Sequence, residues 1–136
     1  MAALTVTAAN VRAMDGAVVQ SFDLGGAADV GDLVYIASDG DVEKADASAQ
    51  ASAKAVGILT AVEGGESSGS SGDLVSVVLF GPVAGFSSMT PGANGYVSDT
   101  AGDIEDSAGT YDRIVGFSKS ASVFFVSPEQ NDPSSA

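Results

Sequence analysis

A chain of 136 residues with no histidine and no cysteine can build neither a Ser-His-Asp triad, a Cys-His pair nor a zinc centre. Carboxylate, lysine and hydroxyl chemistry remain. Its 18 acidic and 5 basic side chains give a net charge of −13, which repels nucleic-acid phosphates and anionic membranes. The length suits one domain burying roughly two-thirds of its unfolded surface, so a core needs no disulfide or metal. The absence of cysteine fits a reducing compartment.

Short apolar runs alternate with Gly, Asp and Ser, and 17 glycines stand against 4 prolines. That pattern predicts an all-β sandwich or barrel. Leu4-Thr5-Val6-Thr7 alternates as a half-buried strand does, and Met1 to Val6 lack the positive flank of a signal peptide. Val11 to Met14 and Ala17 to Phe22 read as strands joined by an Asp15-Gly16 turn. Asp32 to Ala37 is a strand, and Ser38-Asp39-Gly40-Asp41 turns it back toward Val42-Glu43-Lys44. Asp46 to Lys54 is too rich in alanine and serine to separate helix from loop, with Asp46 a candidate cap. Ala55 to Val62 is the next strand.

Glu63 to Gly72 has the composition of a flexible linker and is expected as an exposed hairpin loop. Leu74 to Phe80 is almost continuously apolar, which suits a strand covered on both faces or lying at a subunit contact. It is far too short to span a bilayer as a helix. A break is expected at Gly81-Pro82, then Val83 to Phe86, a Thr90-Pro91-Gly92 turn, a short hairpin from Tyr96-Val97-Ser98 to Ile104-Glu105, and last strands at Ile114 to Phe117 and Ser122 to Val126. Pro128 to Ala136 is a polar tail expected to be disordered.

The chain also echoes itself. Tyr35-Ile36-Ala37-Ser38-Asp39-Gly40-Asp41-Val42-Glu43 leads to Val56-Gly57-Ile58. Tyr96-Val97-Ser98-Asp99-Thr100-Ala101-Gly102-Asp103-Ile104-Glu105 leads to Val115-Gly116-Phe117. Both read as a hairpin followed by a Val-Gly-apolar strand. Either a repeated unit or converging turn chemistry produces such a match.

Carboxylates gather at Asp39, Asp41 and Glu43, and at Asp99, Asp103, Glu105 and Asp106. Hard cations take such oxygen ligands, but neither group has EF-hand spacing, and tight turns need the same residues. No metal site is assigned. A glycosidase pair is disfavoured by the scarcity of aromatics. Ser52-Ala53-Lys54 and Ser118-Lys119 permit a Ser-Lys dyad only on paper. The 64–72 loop lacks the Gly-Lys-Ser/Thr of a phosphate loop. The expectation is a non-enzymatic module without cofactor.

Phe80, Phe86, Phe117, Phe124 and Phe125 are expected in the core. Adjacent strand residues face opposite sides, however, so one of Phe124 and Phe125 must point away from it. The pair is therefore a candidate subunit interface. In the first run, Leu4, Val6 and Asn10 are candidates for an arm that adds a strand to a partner, and the competing reading is an ordinary first strand of the domain.

Taken in order, Gly31-Asp32-Leu33-Val34-Tyr35-Ile36, Gly40-Asp41-Val42, Ala55-Val56-Gly57-Ile58, Gly72-Asp73-Leu74-Val75, Thr90-Pro91-Gly92, Tyr96-Val97-Ser98, Gly102-Asp103-Ile104 and Ile114-Val115-Gly116-Phe117 resemble the pattern of bacteriophage capsid decoration (cement) proteins. The resemblance covers residues 16–126 and is similar in plan to lambda-type head-decoration proteins, which share a stretch like Ala55 to Leu59. It implies a small β-barrel or β-sandwich of β-tulip-like form, with an extended N-terminal arm over 1–15, the decoration domain over 16–126 and a disordered tail over 127–136. It further implies a homotrimer, made in the host cytoplasm, that sits outside an icosahedral shell, contacts the major capsid protein and stabilises the shell by bridging subunits. The family carries no catalytic residue. A receptor- or glycan-binding β-module of a phage fibre or bacterial surface protein is the alternative.

Overall fold

Apolar runs punctuated by glycine and aspartate form strands because β-branched side chains suit a pleated, half-buried surface and Asp-Gly pairs suit the turns between them. The computed structural model describes residues 3 to 135, so Met1 and Ala2 of the expected arm and Ala136 of the expected tail lie outside it. In chain order the strands are β1 (Thr5–Val6), β2 (Arg12–Ala13), β3 (Val18–Asp23), β4 (Ala28–Asp29), β5 (Leu33–Ile36), β6 (Val42–Lys44), β7 (Ala55–Val62), β8 (Ser68–Gly69), β9 (Leu74–Ala84), β10 (Phe86–Ser87), β11 (Asn94–Val97), β12 (Ile104–Glu105), β13 (Tyr111–Asp112), β14 (Ile114–Ser118), β15 (Val123–Val126) and β16 (Ser134–Ser135). A four-residue helix, α1 (Gln50–Ala53), precedes β7. Asp46 caps none of its amides: its carboxylate accepts from the Ser48 amide in the preceding turn and from the hydroxyl of Ser52 within the helix.

One ten-stranded antiparallel sheet dominates, in the order β12-β11-β14-β15-β9-β7-β5-β6, with β2 and β3 also on β9. It curls as an open half-barrel. Its far ends meet through loops, where the Leu33 amide donates to the Gly102 carbonyl at 2.9 Å, the Gly102 amide to Ala45 at 2.8 Å and the Ala47 amide to Ser98 at 2.8 Å. The enclosed core contains Leu24, Leu33, Val34, Leu59, Val77, Val83 and Phe124, all without solvent exposure.

The long central strand runs through Gly81-Pro82 where a break was expected. Residues 75–78 pair with β7 and residues 81–84 with β15. Gly81, at φ +117°, marks the change of partner, and a Cβ there would lie 2.6 Å from the Ala17 Cα. Pro82 has no amide to offer, but its carbonyl accepts from Met14 at 3.0 Å.

The repeated sequence unit is a repeated structural one. Unit one is β6-β5-β7-β9 and unit two is β12-β11-β14-β15, so the sheet reads outward identically from its middle. Each unit has a bulge at the same place. Val34 and Tyr35 face Gly57 and Ala55, while Gly95 and Tyr96 face Gly116 and Ile114. A Cβ at Gly57 would fall on the Val78 carbonyl oxygen, and one at Gly116 on that of Phe125. The glycine of each Val-Gly pair thus lets the next strand close in. The outer edge of each unit is also covered, by a parallel bridge at Leu24–Val42 in unit one and an antiparallel one at Ala3–Glu105 in unit two. Gly25 donates to Val42 at 2.9 Å, and Leu4 donates to Ile104 at 2.7 Å.

Two segments expected to be loose are docked. Within the 63–72 loop, β8 pairs with β4, and Gly69 lies where a Cβ would be 2.7 Å from the Leu24 Cδ1. In the tail, β16 pairs with β13. Polar composition predicts little burial for such segments, but it does not forbid backbone pairing with a neighbouring edge.

Candidate functional site

Strand periodicity separates Phe124 from Phe125. Phe124 turns inward, is 0% exposed and lies 5.8 Å from the Phe86 ring. Gly95 makes room for it, since a Cβ there would come within 2.6 Å of the Phe124 ring. Phe124 is therefore core and offers no surface to another subunit.

Phe125 turns the other way, into an aromatic cluster on the outside of the sheet. It stacks on Phe117 at 5.1 Å and 14°, and meets Phe80 edge-on at 5.1 Å and 88°. Phe117 faces it directly in the ladder. Val18 lies opposite Phe80 across the β3–β9 pair and extends the same apolar edge. Phe80 is 49% exposed, Val18 47% and Phe117 39%. The sequence expectation placed Phe80 and Phe117 in the core with Phe86, and the structure corrects it for these two, while Phe125 is the member of the Phe124-Phe125 pair that points away. The reasons are the alternation of β15 for Phe125, the bulge at Val115 of β14 for Phe117 and the register shift beside Phe80 in the β3–β9 pair. Each aromatic pair contributes about 0.5–1.5 kcal/mol beyond area burial, which holds the rings as one rigid surface.

The N-terminal candidates lie on their own domain. Leu4 is half-buried against the core, and Val6 pairs with Phe86 while its side chain packs over Gly31. Asn10 is exposed, and its amide donates to Thr7 at 2.9 Å within a 3-10 turn. Residues 3–13 are thus a first strand segment of the fold rather than a free arm. β1 nonetheless pairs on one side only among the described residues.

Two of the acidic groups hold local backbone. Asp39 accepts from the Asp41 amide at 3.0 Å, and Asp99 from the Thr110 amide and hydroxyl at 2.9 and 3.0 Å. Among the described residues no three carboxylates converge as a metal site would require. Asp32 is the perturbed carboxyl. Burial raises its pKa above the usual carboxylate value, against the Asp29 amide at 2.8 Å and the Lys44 ammonium at 3.8 Å. The Ser-Lys pairs are not assembled: Ser52 bonds Asp46, Lys54 pairs with Asp132 at 3.2 Å, and the Ser118 hydroxyl meets the Met89 sulfur at 3.4 Å.

Arg113 gave no signal in the sequence. It is fully buried and donates through both terminal nitrogens to the carbonyls of Glu129 and Asn131. Burial pushes its pKa down, opposed by the charges of Glu129 and Asp132. Its position one residue before the Ile114–Phe117 run marks it as a strand-flanking charge, and its carbonyl partners come from the returning tail. No helix among the described residues is long and apolar enough to cross a membrane. The chain matches no protein-family model and no curated protein.

Proposed function

We propose that the chain is a structural virion protein: a homotrimeric, β-tulip-like module that seats on the outside of an icosahedral phage capsid and stabilises the shell by bridging subunits of the major capsid protein. The observation that carries the reading is the aromatic face of Phe80, Phe117 and Phe125. Rigid exposed aromatics of this kind suit a protein contact, because they bury large area at little entropic cost.

The internal repeat supports a second copy as the occupant. Ile58 and Val78 hold the register positions of unit one that Phe117 and Phe125 hold in unit two. Ile58 and Val78 are completely covered within the chain, whereas Phe117 is 39% exposed. A neighbouring subunit would supply the cover that unit two lacks. The one-sided strand β1 offers backbone groups for adding a strand from the capsid protein. The net charge of −13 suits a solvated outer surface and gives no purchase on packaged nucleic acid.

Light scattering on the purified chain should give three times the monomer mass. Phe125→Ser should reduce it to one. Sedimentation with shells lacking the protein should carry wild type into the pellet. A monomer at micromolar concentration that leaves such shells bare, but binds a receptor or glycan, would replace this reading with the fibre-type alternative.

A further inference from the structure

The end of the chain closes the fold by an unusual bond pattern. Arg113 has the largest fully buried side chain, and burying a cation is costly unless it is well partnered. Its two terminal nitrogens bond the Glu129 and Asn131 carbonyls, and its Nε has no partner among the described residues. The opposing charges, Glu129 and Asp132, lie on that same segment.

The segment is held in return mostly by its main chain, with side-chain bonds from the Ile114 amide to Glu129 Oε1 at 3.2 Å and from Lys54 to Asp132 at 3.2 Å. The Ser127 amide donates to Val115 at 2.9 Å and the Glu129 amide to Ile114 at 3.2 Å. Gln50 of α1 donates to the Pro133 carbonyl at 2.9 Å, and β16 pairs with β13. Pro133 is the one buried residue between 127 and 134. The segment therefore brings little apolar area to the core, while it spans from Arg113 in unit two to Gln50 and Lys54 beside unit one. Glu129 and Gln130 form a wall of a groove of about 220 Å³ whose floor includes Ile36, Val56 and Leu79.

We propose that residues 127–135 are a detachable strap, which docks as an extended chain on Arg113 and the edge of β13 and opens while the sheet stays folded. Main-chain recognition and a shortage of buried side chains place it at the low-stability end of the molecule. Opening bares both the Arg113 cation and the groove beneath the strap.

Hydrogen exchange on the full-length chain tests this. The Ser127, Glu129 and Ser134 amides should exchange at least about 100-fold faster than that of Val77 in the sheet centre. A labelled peptide of residues 127–135 added to the full-length protein should bind saturably, and Arg113→Met should abolish that binding while Val77 stays protected. If Arg113→Met does not fold, Gln50→Ala should speed strap exchange alone. Strap amides that exchange at the Val77 rate, or a peptide that does not bind wild type, would overturn the proposal.

Discussion

Unit one and unit two share a hairpin, a Val-Gly bulge and a glycine that admits the next strand, yet they bury different things. At matched register positions unit one covers Ile58 and Val78, while unit two leaves Phe117 39% exposed and Phe125 only part-buried. The reverse holds on the neighbouring strands β5 and β11. Ile36 is 46% exposed, but Val97, which occupies its place in unit two, is fully buried. The hairpin turns differ as well. Gly40 has open space around it, whereas Gly102 sits where a Cβ would be 2.8 Å from the Asp32 carboxylate. A repeated backbone therefore does not dictate a repeated surface. Cover depends on which loops and termini reach each unit, and unit two is the one left with an open aromatic face.

The largest effect should separate the two adjacent phenylalanines of β15. Phe124→Ala should cost about 3–5 kcal/mol in urea unfolding, because it empties the core between Phe86 and Gly95. Phe125→Ala should cost far less stability and instead abolish self-association seen by light scattering. Equal stability losses at both positions would mean that the outer face is structural.

Next come the bulge glycines. Gly57→Ala and Gly116→Ala should each destabilise by about 3 kcal/mol, since both place a methyl group on a carbonyl oxygen across the ladder. Tolerance at one site alone would break the equivalence of the units. The turn glycines should instead differ. Gly40→Ala, at φ +90° in open space, should cost about 1 kcal/mol. Gly102→Ala adds the clash with Asp32 to a similar φ of +87° and should cost about twice as much.

The smallest effect concerns Asp32 itself. Burial raises its folded pKa above 3.8, so the folded protein holds this proton more tightly than the unfolded chain. The group therefore favours folding at low pH, and that contribution disappears as pH rises from the unfolded value through the folded one. Asp32→Asn keeps an acceptor for the Asp29 amide but does not titrate. Its midpoint relative to wild type should move upward as pH rises from 3 to about 6. A difference that moves downward would mean that the Lys44 ion pair outweighs desolvation.

Much of the strand order was legible in the sequence. Alternation and Asp-Gly turns place β5 with β6 and β11 with β12, and the Val-Gly echo marks β7 and β14 as counterparts. The Phe124-Phe125 pair announces an outward aromatic. The sequence does not reveal which one, nor that Phe80 and Phe117 join it, because a bulge resets the facing of every later residue on its strand. It misleads at Gly81-Pro82, where local breakers sit inside a continuous strand that changes partners. It leaves the N-terminal segment open between an arm and a first strand, and it misreads the tail as free by composition. Both are held by backbone hydrogen bonds to edges far away in the chain.

By itself, then, the sequence determined the all-β class, the exclusion of histidine and thiol chemistry, and the echo of a hairpin followed by a Val-Gly strand. These follow from residue type and local spacing alone. The tertiary structure decided which faces are covered, which cation is buried and where residues 3–13 and 127–135 dock. Those depend on contacts between residues far apart in sequence, such as Arg113 with Asn131 and Leu4 with Ile104, and no local pattern encodes them.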